Sequence, residues 1–170
     1  TEASYMATDL SSLLEGGVIL PSFDATSRKQ AIHALAEALA EAKGLNARQI
    51  EDAVMERERL GSTGVGEGVA IPHARIEGLE KPVGGLLRLD EGVDFEAIDE
   101  RPCDLIFMLL APKTAGADHL RALAQVSRVF RQRAVRDSLR AAPRAEDLRA
   151  VPRPRTPEPA VRPGQPTAIK

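Results

Sequence analysis

Residues 103–110 read CDLIFMLL, apolar without a break from Leu105 onward, and Ala111-Pro112 close the run. A strand of this composition has to be covered on both faces, because neither side of its pleat is polar enough to meet water. It is also far shorter than the roughly 20 residues needed to cross a bilayer. Helical and extended patterns alternate through the rest of the chain. The expected fold class is therefore α/β, a sandwich around a mostly buried sheet. A length of 170 residues is enough for one domain with its own core.

The local signals fill in that frame. Ser27 and Gln30 have capping-box spacing, and Ile32, Leu35, Ala36 and Leu39 follow at helical steps before Gly44. A second helix opens at Asn46 and places Ile50, Ala53 and Val54 on one face. Arg57, seven residues after Ile50, continues that inward stripe and needs a partner there: solvent, Glu58, Asp104 or a ligand. Short strands are expected over 18–20, 69–73, 83–89 and 93–98. A third helix is expected from Asp118 as cap, with Leu120, Leu123, Ala124, Ser127 and Phe130 or Arg131 as its stripe. A fourth covers 135–142, and a last short turn covers 144–150.

The domain is expected over 10–150. Residues 1–9 read as a disordered N-terminus or as residues added ahead of a natural start at Met6. Residues 151–170 hold six of the twelve prolines and read as a disordered, proline-rich tail. One cysteine excludes a disulfide framework and any CxxC motif. With no signal-peptide pattern at the start, the expected setting is cytoplasmic, without membrane insertion. Charge is uneven: residues 1–120 carry 11 basic and 21 acidic side chains, and 121–170 carry 12 and 4. The basic end reads first as a solvated face. It lacks the interleaved aromatics of a single-strand binder, and no nucleic-acid partner is expected.

The chemistry gathers around Gly61-Ser62-Thr63-Gly64-Val65-Gly66-Glu67-Gly68, which leads into Val69-Ala70-Ile71-Pro72-His73. A P-loop would need lysine where Glu67 stands, and a dinucleotide fingerprint would follow a strand rather than a helix, so both nucleotide readings fail. His73, at the end of its expected strand, lies where loop amides can surround an anion on the imidazole. His119 follows the expected cap Asp118, at a helix N-terminus that favours negative charge. His33 reads as exposed and uninvolved. A neutral imidazole, titrating near ~6.5, is a nucleophile that can take a phosphoryl group in line while cations and N–H donors hold its oxygens. No metal or cofactor is needed if the leaving group is itself an imidazole. Two rivals use the same residues. A hydrolase with Ser62 or Thr63 as nucleophile lacks a GxSxG elbow, and a zinc site lacks close histidine spacing. Cys103 reads as a small buried hydrophobe.

GSTGVGEGVAIPHAR (residues 61–75), the preceding RERL, FEAIDERPCDLIFMLLAP (95–112) and DHLRALAQVSRVF (118–130) resemble the nitrogen-regulatory enzyme IIA proteins of the bacterial phosphotransferase system. The similarity runs in register over about residues 10–148, and fructose- and mannitol-type IIA domains share its general pattern. The resemblance implies a three-layer α/β sandwich with a central mixed β-sheet and helices on both faces, and a phosphohistidine at His73. It also implies a phosphate clamp at Arg57, a second active-site histidine at His119, and a wall formed by Ser62, Thr63 and Gly64. It implies a regulatory phosphocarrier charged by a histidine-containing phosphocarrier protein of the nitrogen branch, itself charged by an enzyme I. Regulated targets would include sensor kinases or potassium transporters; the alternative is a transport IIA component serving a sugar permease. Two departures stand out. Ala74-Arg75 adds a cation where relatives have Gly or Lys, and the last helix gives way to the proline-rich tail.

Overall fold

The computed structural model describes residues 10–14, 16–143, 146 and 148. Its central strand is the apolar run itself, β6 (Cys103–Pro112), with every residue but Asp104 buried. On one side β6 pairs antiparallel with β5 (Val83–Val93), which pairs parallel with the edge strand β1 (Val18–Phe23). On its other side two short strands share a lane, both parallel to β6: β3 (Val69–Ala70) and β4 (His73–Ile76). Antiparallel to β3 lies β2 (Gly64–Gly66).

Alternation along β6 divides the core. Ile106, Met108 and Leu110 point to a layer built by α2 (Arg28–Lys43) and α3 (Ala47–Leu60). Leu105, Phe107 and Leu109 point to α4 (Ala117–Phe130), α5 (Arg133–Ala141) and the short α1 (Leu10–Leu14). The apolar run is covered on both faces as expected, and the three layers and mixed sheet are those that the resemblance implies. In α2, Ile32, Leu35 and Leu39 are completely buried, each stabilising the layer by about 1.5–3 kcal/mol on the transfer scale.

The helix ends follow their capping residues. Ser27 Oγ accepts from the Gln30 amide, Asn46 Oδ1 accepts from the Gln49 amide, and Gly44 ends α2 at φ 68°. The reciprocal arm at Gln30 reaches one residue further out than a capping box requires: its Oε1 accepts from the Thr26 amide and hydroxyl.

Four expectations are corrected. Val93 ends β5, and residues 94–97 form no strand, because the Asp94 carboxylate accepts from the Glu96 amide and turns the chain. Asp118 does not cap α4; Gly116 does, with φ 56° and no side-chain bond. The stripe of α4 is rotated by one residue, so that His119, Val126, Val129 and Phe130 are buried and Leu120 is 63% exposed. On α3 the inward row runs Ile50, Val54, Glu58, which puts Glu58, rather than Arg57, on the buried face. The segments 1–9 and 151–170 lie outside the described residues, as does most of 144–150.

Candidate functional site

The glycine-rich segment folds as a small hairpin, β2 and β3, turning through Glu67 at φ 59° and Gly68 at φ 79°. A Cβ on Gly68 would lie 2.4 Å from the Arg140 guanidinium and 2.9 Å from an Asp104 oxygen, so no other residue fits there without displacing that pair. Arg140 of α5 donates to Asp104 and, at 2.7 Å, to the Glu67 carbonyl. From the other side Asp99 accepts from the Glu67 amide at 2.9 Å. The hairpin tip is thus held by two distant elements.

At the root of the hairpin the hydroxyls are already engaged. Ser62 Oγ donates to the Phe95 carbonyl and accepts from the Gly64 amide, and Thr63, buried, donates its hydroxyl to Glu58. An anion would have to displace one of these bonds to recruit either hydroxyl.

His73 opens β4 instead of ending a strand. The lane beside β6 breaks at Ile71-Pro72, where Pro72 has no N–H to give, the Ile71 amide turns to the Thr63 carbonyl, and the Pro72 carbonyl accepts from Leu109. His73 Nδ1 lies 2.8 Å from the Ile71 carbonyl oxygen. A carbonyl only accepts, so Nδ1 carries the proton and Nε2 keeps the lone pair. The ring is half-buried. Burial lowers its pKa most; the Ile71 hydrogen bond works in the opposite direction, and the Arg57 charge lowers it further.

His119, in the first turn of α4, brings its ring centroid to 5.6 Å from that of His73. It is only 7% exposed, and its Nδ1 has no hydrogen-bond partner among the described residues, a rare and costly state for a buried polar atom. Its pKa is lowered by burial first, then by His73 and Arg75. Arg57 donates to the Gly61 carbonyl at 2.8 Å, at the flank of α3 that faces the loop. It pairs neither with Glu58, which holds Arg28, nor with Asp104, which holds Arg140. The structure therefore gathers His73, His119 and Arg57 around one loop. His33 stands apart on α2, bound to Glu51 at 2.7 Å and close to Glu37. Burial pushes the Cys103 thiol up to about 12. Among the described residues no group of three or more acidic, histidine or cysteine side chains is placed to hold a metal ion.

The site is a neutral imidazole with a free Nε2, a second neutral imidazole with an unmet Nδ1, and a guanidinium. That combination suits a visiting tetrahedral anion. Its titration is predictable. His33, raised chiefly by its hydrogen bond to Glu51, should titrate above His73 and His119, both of which should titrate below ~6.5. Because the two site histidines resist protonation only when folded, their contribution to stability should fall as pH drops below ~6.5. An NMR titration of the three rings checks the order; His119 titrating above His33 would contradict it.

Three site residues were missed by the sequence reading. Glu58 has no signal beyond its helical step from Val54, whereas Arg140 and Asp99 reach the loop from far along the chain and have none at all.

The family described as "Phosphoenolpyruvate-dependent sugar phosphotransferase system, EIIA 2" matches residues 12–151. A nitrogen regulatory protein of Bradyrhizobium diazoefficiens is 44% identical over 142 residues, 84% of this chain and 93% of its own. One from Pseudomonas aeruginosa is 41% identical, over 82% of this chain and 91% of its own. Among solved structures, nitrogen regulatory protein IIA-Ntr of Neisseria meningitidis superposes with a TM-score of 0.75 at 34% identity, covering 83% of this chain and 97% of the other. IIA mannitol of Escherichia coli, at 20% identity and a TM-score of 0.65 over 76% of this chain and 92% of its own, shares the fold.

Proposed function

Since the chain belongs to the EIIA 2 family of the phosphoenolpyruvate-dependent sugar phosphotransferase system, we propose that it is a cytoplasmic regulatory phosphocarrier whose acceptor is His73. The observation that carries this reading is the Nδ1–H···O=C bond to Ile71. It leaves the Nε2 lone pair of a neutral ring as the nucleophile. In the transfer, Nε2 forms an N–P bond as the N–P bond of a phosphohistidine on the carrier breaks, and that electron pair returns to the carrier's nitrogen. Positive charge develops on the His73 ring, and the Ile71 carbonyl stabilises it through Nδ1–H. No proton has to be removed from His73 before the attack.

The neighbouring groups serve the phosphoryl oxygens. An oxygen held by His119 Nδ1 would satisfy the unmet buried nitrogen, and Arg57 would add a charge-assisted contact. Replacing Arg57 with Lys keeps the charge but loses the planar fork. Arg57→Lys should hold the phosphoryl group less well by about 1–3 kcal/mol, the scale for a hydrogen bond to a charged group. Arg57→Ala should be worse. The half-life of the phosphorylated proteins measures this, and three equal half-lives would remove Arg57 from the site.

Leu60 at the end of α3, Val65 in β2, Ile98 in the turn after β5 and Leu120 in the first turn of α4 are exposed by 80%, 51%, 87% and 63%. That apolar rim supports docking of the histidine phosphocarrier protein, and of regulated targets such as sensor kinases or potassium transporters, around the site. A dianion at its centre changes which partners fit. The nitrogen regulatory protein of Bradyrhizobium diazoefficiens matches over 84% of this chain and 93% of its own, while a fructose-specific EIIA component of Haloferax volcanii, also 44% identical, matches over 52% of this chain and 57% of its own. That difference supports regulation over sugar transport. The test is incubation with phosphoenolpyruvate, enzyme I and carrier, followed by addition of membranes and sugar. Label should enter the protein and stay out of the sugar; sugar phosphate formed through this protein would reverse the reading.

A further inference from the structure

We propose that Glu58 is a positioning residue for phosphoryl transfer, holding the His73 ring in its nucleophilic tautomer through a chain of three hydrogen bonds. The inference rests on the phosphocarrier reading above. Glu58 sits in the last turn of α3, and its side chain is 1% exposed. A carboxylate in that position is costly unless it is paired and hydrogen-bonded. Its two oxygens divide the work. Oε1 accepts from Arg28 of α2 at 3.3 Å, and Oε2 accepts from the Thr63 hydroxyl. Arg28 is also 3.8 Å from Glu96, so the pair joins α2, α3 and the loop after β5.

From Thr63 the chain continues through the backbone. The Thr63 carbonyl accepts from the Ile71 amide at 2.9 Å, and the Ile71 carbonyl accepts from His73 Nδ1 at 2.8 Å. Ile71 is thus gripped at both ends: the residue whose carbonyl fixes the histidine proton has its own amide fixed by the residue that Glu58 holds. A loop with four glycines in eight positions would otherwise have many ways to place that carbonyl. The same helical turn carries Arg57. One residue of rotation, about 100° at 3.6 residues per turn, sends Arg57 toward the loop and Glu58 into the protein. Clamp and positioner therefore share one rigid element.

The experiment compares wild type with Thr63→Val, Thr63→Ser, Glu58→Met and the double variant Thr63→Val/Glu58→Met. Two quantities are read: the rate of phosphoryl transfer from the carrier, and the ¹⁵N imidazole signals of His73 in the unphosphorylated protein. Thr63→Val and Glu58→Met should each slow transfer by about 10- to 100-fold, the cost of a reacting group misplaced by about an ångström. Both should also move His73 from the Nδ1–H form toward a mixture of tautomers. Thr63→Ser, which keeps the hydroxyl, should restore both readouts. The double variant should be no slower than the slower single, because both changes break the same chain. If Glu58→Met does not fold, the comparison of Thr63→Val with Thr63→Ser decides. A folded Thr63→Val protein with wild-type rate and an unchanged Nδ1–H signal would overturn the proposal. A wild type that takes no label at His73 would instead overturn the phosphocarrier reading, and the tautomer signals would still report on Glu58.

Discussion

His73→Ala is expected to take up no phosphoryl group from the carrier under conditions that label the wild type fully, while keeping its fold. The ring is half-buried, and among the described residues its one hydrogen bond is to the Ile71 carbonyl, so its loss should cost little stability. His119→Ala should separate from it by retaining slow labelling. His119 has a lowered pKa and no hydrogen bond to its Nδ1, but it does not present the tautomer-fixed lone pair that His73 does. Stoichiometric, acid-labile label on His73→Ala would move the acceptor elsewhere.

The largest effect on stability should come from Phe107→Ala. Phe107 is completely buried at the middle of β6, with its ring 5.8 Å from that of Phe130 on α4. It also occupies the space that Gly84 leaves open on β5: a Cβ on Gly84 would lie 2.3 Å from Phe107 Cζ. With a glycine on one side and the helix layer on the other, little can collapse into the void. The loss should be about 3–5 kcal/mol, out of a total on the order of 5–15 kcal/mol for a domain. Urea unfolding measures it as a lower midpoint at unchanged slope, and a loss below ~1 kcal/mol would contradict this packing.

The parts of the fold that could be read in the sequence are those governed by neighbours in the chain. The β6 run declared a strand covered on both sides, and Ser27, Asn46 and Gly44 marked helix ends through bonds to residues three or four positions away. Periodicity was less decisive. On α4 the set beginning at Leu120 and the set 119, 122, 123, 126, 129, 130 both step by three and four, and the sheet buries the second, which carries Val126 and Val129 where the first has Ala124 and Ser127. On α3 the step of seven from Ile50 points to Arg57 as the inward residue, and the fold buries Glu58 instead. A buried carboxylate was the less expected outcome, and it is tolerated because Arg28, 30 residues earlier, meets it.

The site was legible as residue types in order: an arginine, a glycine loop, a histidine after proline, a second histidine. Its rigidity was not. The hairpin tip depends on Asp99 and Arg140, 32 and 73 residues beyond Glu67. Such partners come together only once the three layers are assembled. The hydroxyls of Ser62 and Thr63 likewise appeared free to meet an anion, but the folded loop uses them to hold itself in place.

The central claim is that the Ile71 carbonyl fixes the His73 proton on Nδ1 and thereby makes Nε2 the nucleophile. A ¹⁵N–³¹P correlation spectrum of the phosphorylated protein tests it most directly. The account predicts one phosphorus signal, coupled to Nε2 of His73, with Nδ1 still bearing its proton toward Ile71. A phosphorus coupled to Nδ1 of His73, or to a nitrogen of His119 or His33, would contradict it.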